Sequence, residues 1–152
     1  MKKLILILTI LLSLSCSNSD EPPIVLLPYE YNIQELEMIQ LINQYRTSNL
    51  LNSLNEVQHI SALCEQSNNY MISYNDVKHH HFQDRVENLK RIGYDRVSAI
   101  VCYNYSTNQS ALNAINSNIE TQKILRGDFN DVGVSITNNI NGKKYYTLTF
   151  AK

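Results

Sequence analysis

Val132-Gly133-Val134-Ser135-Ile136 alternates apolar residues with small or polar ones, Asn141-Gly142 follows, and Tyr146-Thr147-Leu148-Thr149-Phe150 alternates back. Period-two alternation on both sides of an Asn-Gly pair predicts an antiparallel hairpin with one buried face, closed by a type I′ turn. Upstream, the apolar period changes to that of a helix. Asn32 followed by Glu35 is a capping-box signal, and Met38, Leu41, Ile42 and Tyr45 then recur at helical spacing up to about Ser48-Asn49. Val57, Ile60, Cys64, Ser67 and Met71 form a second stripe; His59 falls off it and is expected at the surface. A third helix is expected over Phe82–Ile92, with Phe82, Val86 and Leu89 inward and Gly93 at its end. Val97 to Tyr105 favours a buried strand, and Thr107 can cap a fourth helix through about Asn116. Ser117 with Glu120 is read as a second capping box, opening a short fifth helix that ends near Leu125. Helices surrounding a small antiparallel sheet predict an α+β fold, a three-layer α-β-α sandwich over residues 32–152.

Composition narrows the function classes. The chain has 152 residues, 18% charged, with formal net charge −1, so it lacks the basic footprint of a nucleic-acid binder. Its four glycines, Gly93, Gly127, Gly133 and Gly142, are too scattered to cradle phosphates. No Ser stands in a Gly-x-Ser-x-Gly setting, so no nucleophile elbow is available.

The N-terminus reads as a targeting segment. Met1-Lys2-Lys3 is positive, Leu4 to Leu12 is apolar apart from Thr9, and Ser13-Leu14-Ser15-Cys16 offers small residues at a cleavage point. The apolar run is short of the ~18–20 residues that a spanning helix needs, as in a secretory signal. Cys16 after a small residue resembles a lipoprotein lipobox, so residues 1–15 are expected to be removed and Cys16 lipidated. Loss of Lys2 and Lys3 leaves 11 basic against 14 acidic residues, a net charge of −3. Ser17-Asn18-Ser19-Asp20-Glu21 resembles the acidic signal that directs some lipoproteins of the Bacteroidetes to the outer surface. The expected location is the cell envelope, lipid-anchored at the outer membrane. Residues 16–31 read as a tether stiffened by Pro22 and Pro23, with Ile24 to Leu27 apolar enough to dock on the domain.

Several motifs, taken in order, carry a family resemblance. Ile42-Asn43-Gln44-Tyr45-Arg46 looks like an Ile-Asn-x-x-Arg signature; His79, Phe82 and Arg85 look like a His-x-x-Phe-x-x-Arg element; Ile124-Leu125, Phe129, Val132-Gly133-Val134 and Phe150 complete the series. Residues 35–150 thereby resemble the CAP superfamily of cysteine-rich secretory proteins, antigen 5 and plant pathogenesis-related proteins. The resemblance implies an open cleft holding two His and two acidic residues, able in several relatives to bind a divalent cation. Carried over by position, His79 matches the first His, Ala99 stands in the place of an acid, Glu120 in the place of the second His, and the remaining acid falls near Ser117. The common tryptophan is Ala114. Most of the implied ligand set is absent by type.

The remaining candidates have ordinary readings beside functional ones. His79-His80-His81 could lend a pair to a makeshift metal site with Glu120, supported by Asp84 or Glu87, although adjacent side chains diverge along any regular backbone. Cys64 and Cys102 are a disulfide candidate in an exported protein, yet both positions also suit buried free thiols. Tyr29 with Tyr31, and Tyr103 with Tyr105, could form a binding patch or fill the core. The expected function is non-catalytic binding of a ligand or protein partner, with no cofactor and with the membrane reached through lipid on Cys16. One alternative is a metal-dependent hydrolase of peptide or envelope polymer built on His79 and Glu120. Another is lipid or sterol binding, with Ile24 to Leu27 as the apolar contact.

Overall fold

The capping box expected at Asn32 forms: its side chain accepts from the Glu35 N–H, and the Glu35 carboxylate accepts from the Asn32 N–H. It opens α1 (Ile33–Ser48) in the computed structural model, which describes residues 23–152. The leader and Cys16 lie outside the described residues. The chain continues through β1 (Asn55–Glu56), α2 (Gln58–Tyr74), α3 (Phe82–Arg91), β2 (Val97–Tyr103), α4 (Asn108–Ser117), α5 (Ile119–Leu125), β3 (Asp131–Asn138) and β4 (Lys144–Ala151). The strand order is β1-β3-β4-β2; β1 runs parallel to β3, and the other pairs are antiparallel.

Strand alternation divides the molecule into layers. Val132, Val134 and Ile136 of β3, Tyr146, Leu148 and Phe150 of β4, and Ile100 of β2 face one way, onto Met38 and Ile42 of α1, Leu112 and Ile115 of α4 and Leu125 of α5. Burying each such side chain contributes roughly 1.5–3 kcal/mol, so this apolar layer dominates the stability. The opposite face meets α2 and α3 and is built differently. Among the described residues Ile60, Leu63, Cys64, Leu89 and Ala151 form its buried apolar cluster, with Leu27, Val57, Ile92, Tyr94 and Val97 partly buried against it. Around them the Asn68 amide donates to Ser135 O at 3.0 Å and to Thr137 Oγ1 at 3.1 Å, while its Oδ1 accepts from Thr147 Oγ1 at 2.8 Å. Every buried polar group here must be bonded or it costs ~1–3 kcal/mol, and this amide satisfies three others. α2 can lie this close because β3 carries Gly133 beneath it. A Cβ there would sit 2.5 Å from the Ile60 carbonyl carbon.

β1 spans only Asn55–Glu56, so the edge of β3 beyond it would be left unpaired. Side chains cover it instead. The Val134 N–H donates to Ser61 Oγ at 3.0 Å and the Ile136 N–H to Glu35 Oε1 at 2.9 Å. Glu35, expected only as a cap, is thus buried.

Three local expectations change. The loop joining β3 to β4 runs from Asn139 to Lys143; of the Asn141-Gly142 pair only Gly142 has positive φ, +73°, so the turn is not type I′. Asn139 explains the substitution: its carbonyl accepts from Gly142 N–H at 2.9 Å, and its Oδ1 accepts from both Asn141 and Lys143 N–H groups. At α5 the cap is Asn118, whose Oδ1 accepts from Glu120 and Thr121 N–H groups, not Ser117. The Ser117 hydroxyl donates instead to Asn113 O at 2.7 Å, within α4. Finally, residues 27–31, read as part of the tether, lie on the domain. Tyr29 Oη donates to Glu35 Oε1 at 2.6 Å, and Tyr31 Oη accepts from Ser61 Oγ at 3.0 Å. Val25 and Leu26 are exposed.

Candidate functional site

Two arginines are buried in this domain, and they sit in different layers. Arg46, in the last turn of α1, is fully enclosed and bonded at every guanidinium nitrogen. Its Nε donates to Asn52 O at 2.9 Å, its Nη1 to Leu125 O at 2.9 Å and Gly127 O at 3.0 Å, and its Nη2 to Asn52 Oδ1 at 3.1 Å. It closes the carbonyls at the end of α5, a structural duty for the residue of the Ile-Asn-x-x-Arg signature.

Arg85 is different. Only 4% of it is exposed, and its Nη1 donates to His80 O at 2.6 Å while the guanidinium lies 5.6 Å from the Phe82 ring centroid. Its Nε and Nη2 are buried with no hydrogen-bond partner. Among the described residues the other such side-chain atoms are Ser67 Oγ and Asn108 Oδ1, so the charged ones belong to Arg85. Burial pushes the Arg85 pKa down.

Arg85 forms a wall of a groove between α2 and α3, a cavity of about 170 Å³ also lined by Leu63, Gln66, Tyr70, His81, Asp84 and Asn88. α3 is aimed at α2 by the turn before it. His81 occupies the left-handed region with φ +51°, a conformation that non-glycine residues adopt rarely and that clusters at binding sites. Its ring stands 4.4 Å from Tyr70 and its Nδ1 lies 2.9 Å from Asp84 Oδ2. Asn88 is held from the other side. His59 Nδ1 accepts from the Leu27 N–H at 3.0 Å, so its Nε2 carries the hydrogen and donates to Asn88 Oδ1 at 2.8 Å. His59 is therefore buried and bonded, against the expectation of exposure: the apolar stripe of α2 did not register the strap, residues 27–31, that covers its flank.

The expected cleft residues do not come together as a ligand set. His79 stands at the surface with its ring 5.8 Å from Phe82; partial desolvation first, and the Arg85 charge second, push its pKa down. His80 turns to Asp76 O at 3.2 Å and His81 to Asp84, so the histidine run diverges. Glu120 is exposed on α5 and pairs with Lys123 at 2.9 Å. Glu87 accepts from Gln83 Nε2 at 3.3 Å. Among the described residues no three His, Cys, Asp or Glu side chains converge to hold an ion.

Cys64 and Cys102 are both free, which corrects the disulfide candidate. The sheet explains why. Cys64 Sγ lies against Thr149 Oγ1 at 3.2 Å on the α2 side, whereas Cys102 packs on the apolar layer opposite. Burial pushes the Cys64 thiol up to about 11 and the Cys102 thiol up to about 12, which keeps both protonated and poorly nucleophilic at neutral pH. Tyr29 and Tyr31 meet edge-on at 5.2 Å, whereas Tyr103 is exposed and meets Tyr145 at 4.8 Å, and Tyr105 packs on the apolar layer.

The fold is similar to that of solved proteins that include SCP-domain proteins. An outer surface protein from Borrelia burgdorferi superposes with a TM-score of 0.71 at 11% identity, over 83% of this chain and 98% of that one. An extracellular SCP-domain protein from Bacillus anthracis gives 0.69 at 19% identity, and a cysteine-rich secretory protein from Staphylococcus aureus gives 0.67 at 13%. Each of those two is matched over 78% of this chain, which spans 40% and 38% of their lengths. No family model matches the sequence, and no curated protein matches it. The likeness therefore resides in the fold.

Proposed function

We propose that this chain is an exported lipoprotein, anchored through Cys16 at the outer membrane, whose CAP-like domain binds a ligand or protein partner without catalysing a reaction. The leader Met1 to Ser15 and the small residues before Cys16 support export and lipidation. The neighbours described as outer-surface and extracellular proteins support export. The observation that carries the binding role is the groove between α2 and α3. It is concave and lined by aromatic, amide and charged side chains. A hydrolase would need His79 and Glu120 to share a centre, whereas Glu120 pairs with Lys123.

The test of anchoring is metabolic labelling of the full chain with palmitate, followed by membrane fractionation. The wild type is expected to carry label and to sediment with membranes, and Cys16→Ala to lose both properties. Unchanged labelling of the variant overturns the anchor.

A further inference from the structure

We propose that the groove between α2 and α3 binds a carboxylate, held side-on by Arg85, with Tyr70 beside it to carry an apolar or flat body. The proposal names a ligand class for the binding role above and rests on that reading.

The argument starts from which Arg85 nitrogens are unsatisfied. Nη1 is taken by the His80 carbonyl, and the two left without partners are Nε and Nη2. These are the guanidinium nitrogens whose N–H bonds run parallel on one side, the fork that matches the two oxygens of a carboxylate. A buried cation in that state is costly unless an anion completes it. Arg46 shows that this fold can satisfy every guanidinium nitrogen with its own carbonyls and amides. Arg85 lines the cavity and is 4% exposed with both fork nitrogens buried, so a ligand has to displace part of the rim to reach them.

The lining sets the ligand's charge and shape. It holds a single guanidinium and no lysine, and Asp84 contributes a carboxylate that His81 engages at 2.9 Å. The single fork matches the two oxygens of one carboxylate, and the lining holds no second arginine or lysine to neutralise a phosphate dianion. Tyr70 is 39% exposed with its ring beside His81, and Leu63 adds an apolar wall. Asn88 is fixed through its Oδ1 by His59, and its NH2 group remains free to donate to an acceptor on the ligand. A volume of about 170 Å³ suits one amino-acid-sized group. That chemistry is supplied either by the C-terminus of a peptide or by a free small organic acid.

The experiment follows the Arg85 Nε–H resonance of the nitrogen-15-labelled full chain in detergent. It is titrated with N-acetylphenylalanine, its C-terminal amide, phenylacetate and inorganic phosphate. Both acids are expected to shift the resonance saturably, and the amide and phosphate to bind at least about ten-fold more weakly. Tighter binding of N-acetylphenylalanine than of phenylacetate assigns a peptide terminus; the reverse assigns a free acid. Read by calorimetry with the same acids, since neither variant keeps the Arg85 resonance, Arg85→Met should abolish binding, and Arg85→Lys, which keeps the charge without the fork, should weaken it about ten-fold. A resonance unmoved by either acid, or moved equally by the amide or by phosphate, overturns the proposal in the wild-type chain, whatever the variants do. Such a failure with palmitate labelling of Cys16 intact removes the ligand class and leaves the anchor. Loss of labelling with the titration intact does the reverse.

Discussion

The two faces of the central sheet are finished to different degrees. On the side of α1, α4 and α5, apolar side chains interlock, and the one buried cation, Arg46, meets carbonyls and an amide at every nitrogen. On the side of α2 and α3, the packing is thin and polar, with Asn68 bridging strands and Arg85 left with an open fork. The first layer holds the fold. The second gives up some stability at a place where an external group can restore it, which is the pattern expected of a binding surface built on a rigid scaffold.

The contrast can be broken at its strongest point first. Arg46→Met should cost about 3–5 kcal/mol in chemical denaturation, because the carbonyls of Leu125 and Gly127 and the Asn52 side chain lose charged donors in a closed interior. A loss under 1 kcal/mol would mean that the apolar layer does not depend on that clamp.

The thiols test the same division through pH. Cys64 is held at about 11 in the fold, above the value of 9.0 for an unperturbed thiol. The folded state therefore keeps a proton that the unfolded state releases between those values. Stability attributable to Cys64 is whole below pH 9 and falls as pH rises toward 11, by up to about 1.4 kcal/mol per pH unit. Thermal melting from pH 8 to 11 should show this decline, flattened in Cys64→Ala. A variant with the wild-type slope would place the titrating groups elsewhere. Reductant should leave melting at pH 7 unchanged, since both thiols are free.

The smallest effect has the opposite sign. Arg85→Met, without ligand, should raise stability by about 1 kcal/mol, because an apolar side chain of similar length replaces an unpaired buried charge. A cost as large as that of Arg46→Met would place both layers in the same structural category and remove the contrast.

How far the sequence could be read follows from the range of each signal. Period and caps are local, so the helices, β2 and the final hairpin were legible, and the neighbours in structure share the resulting sandwich. The Ile-Asn-x-x-Arg and His-x-x-Phe-x-x-Arg elements pointed to the right fold, but their spacing could not say that Arg46 is a clamp and Arg85 an open fork. His59 was misplaced because its partners, Leu27 and Asn88, are distant in sequence. The Asn141-Gly142 turn and the Ser117 cap failed for a related reason. Asn139 and Asn118 compete for the same N–H groups, and geometry decides between them. For Arg85, the available signal was an arginine on the inward flank of an amphipathic helix, three residues after an aromatic.

Alone, the sequence determined an α+β sandwich with a hairpin at its end, and the expectation of a leader and a lipid anchor at Cys16. Only the tertiary structure decided that Cys64 and Cys102 stay apart, since a sheet face is a property of strand pairing across the chain. It also decided which of two arginines is satisfied. Satisfaction of a buried charge depends on carbonyls and amides brought from distant segments, and no local pattern records where those will lie.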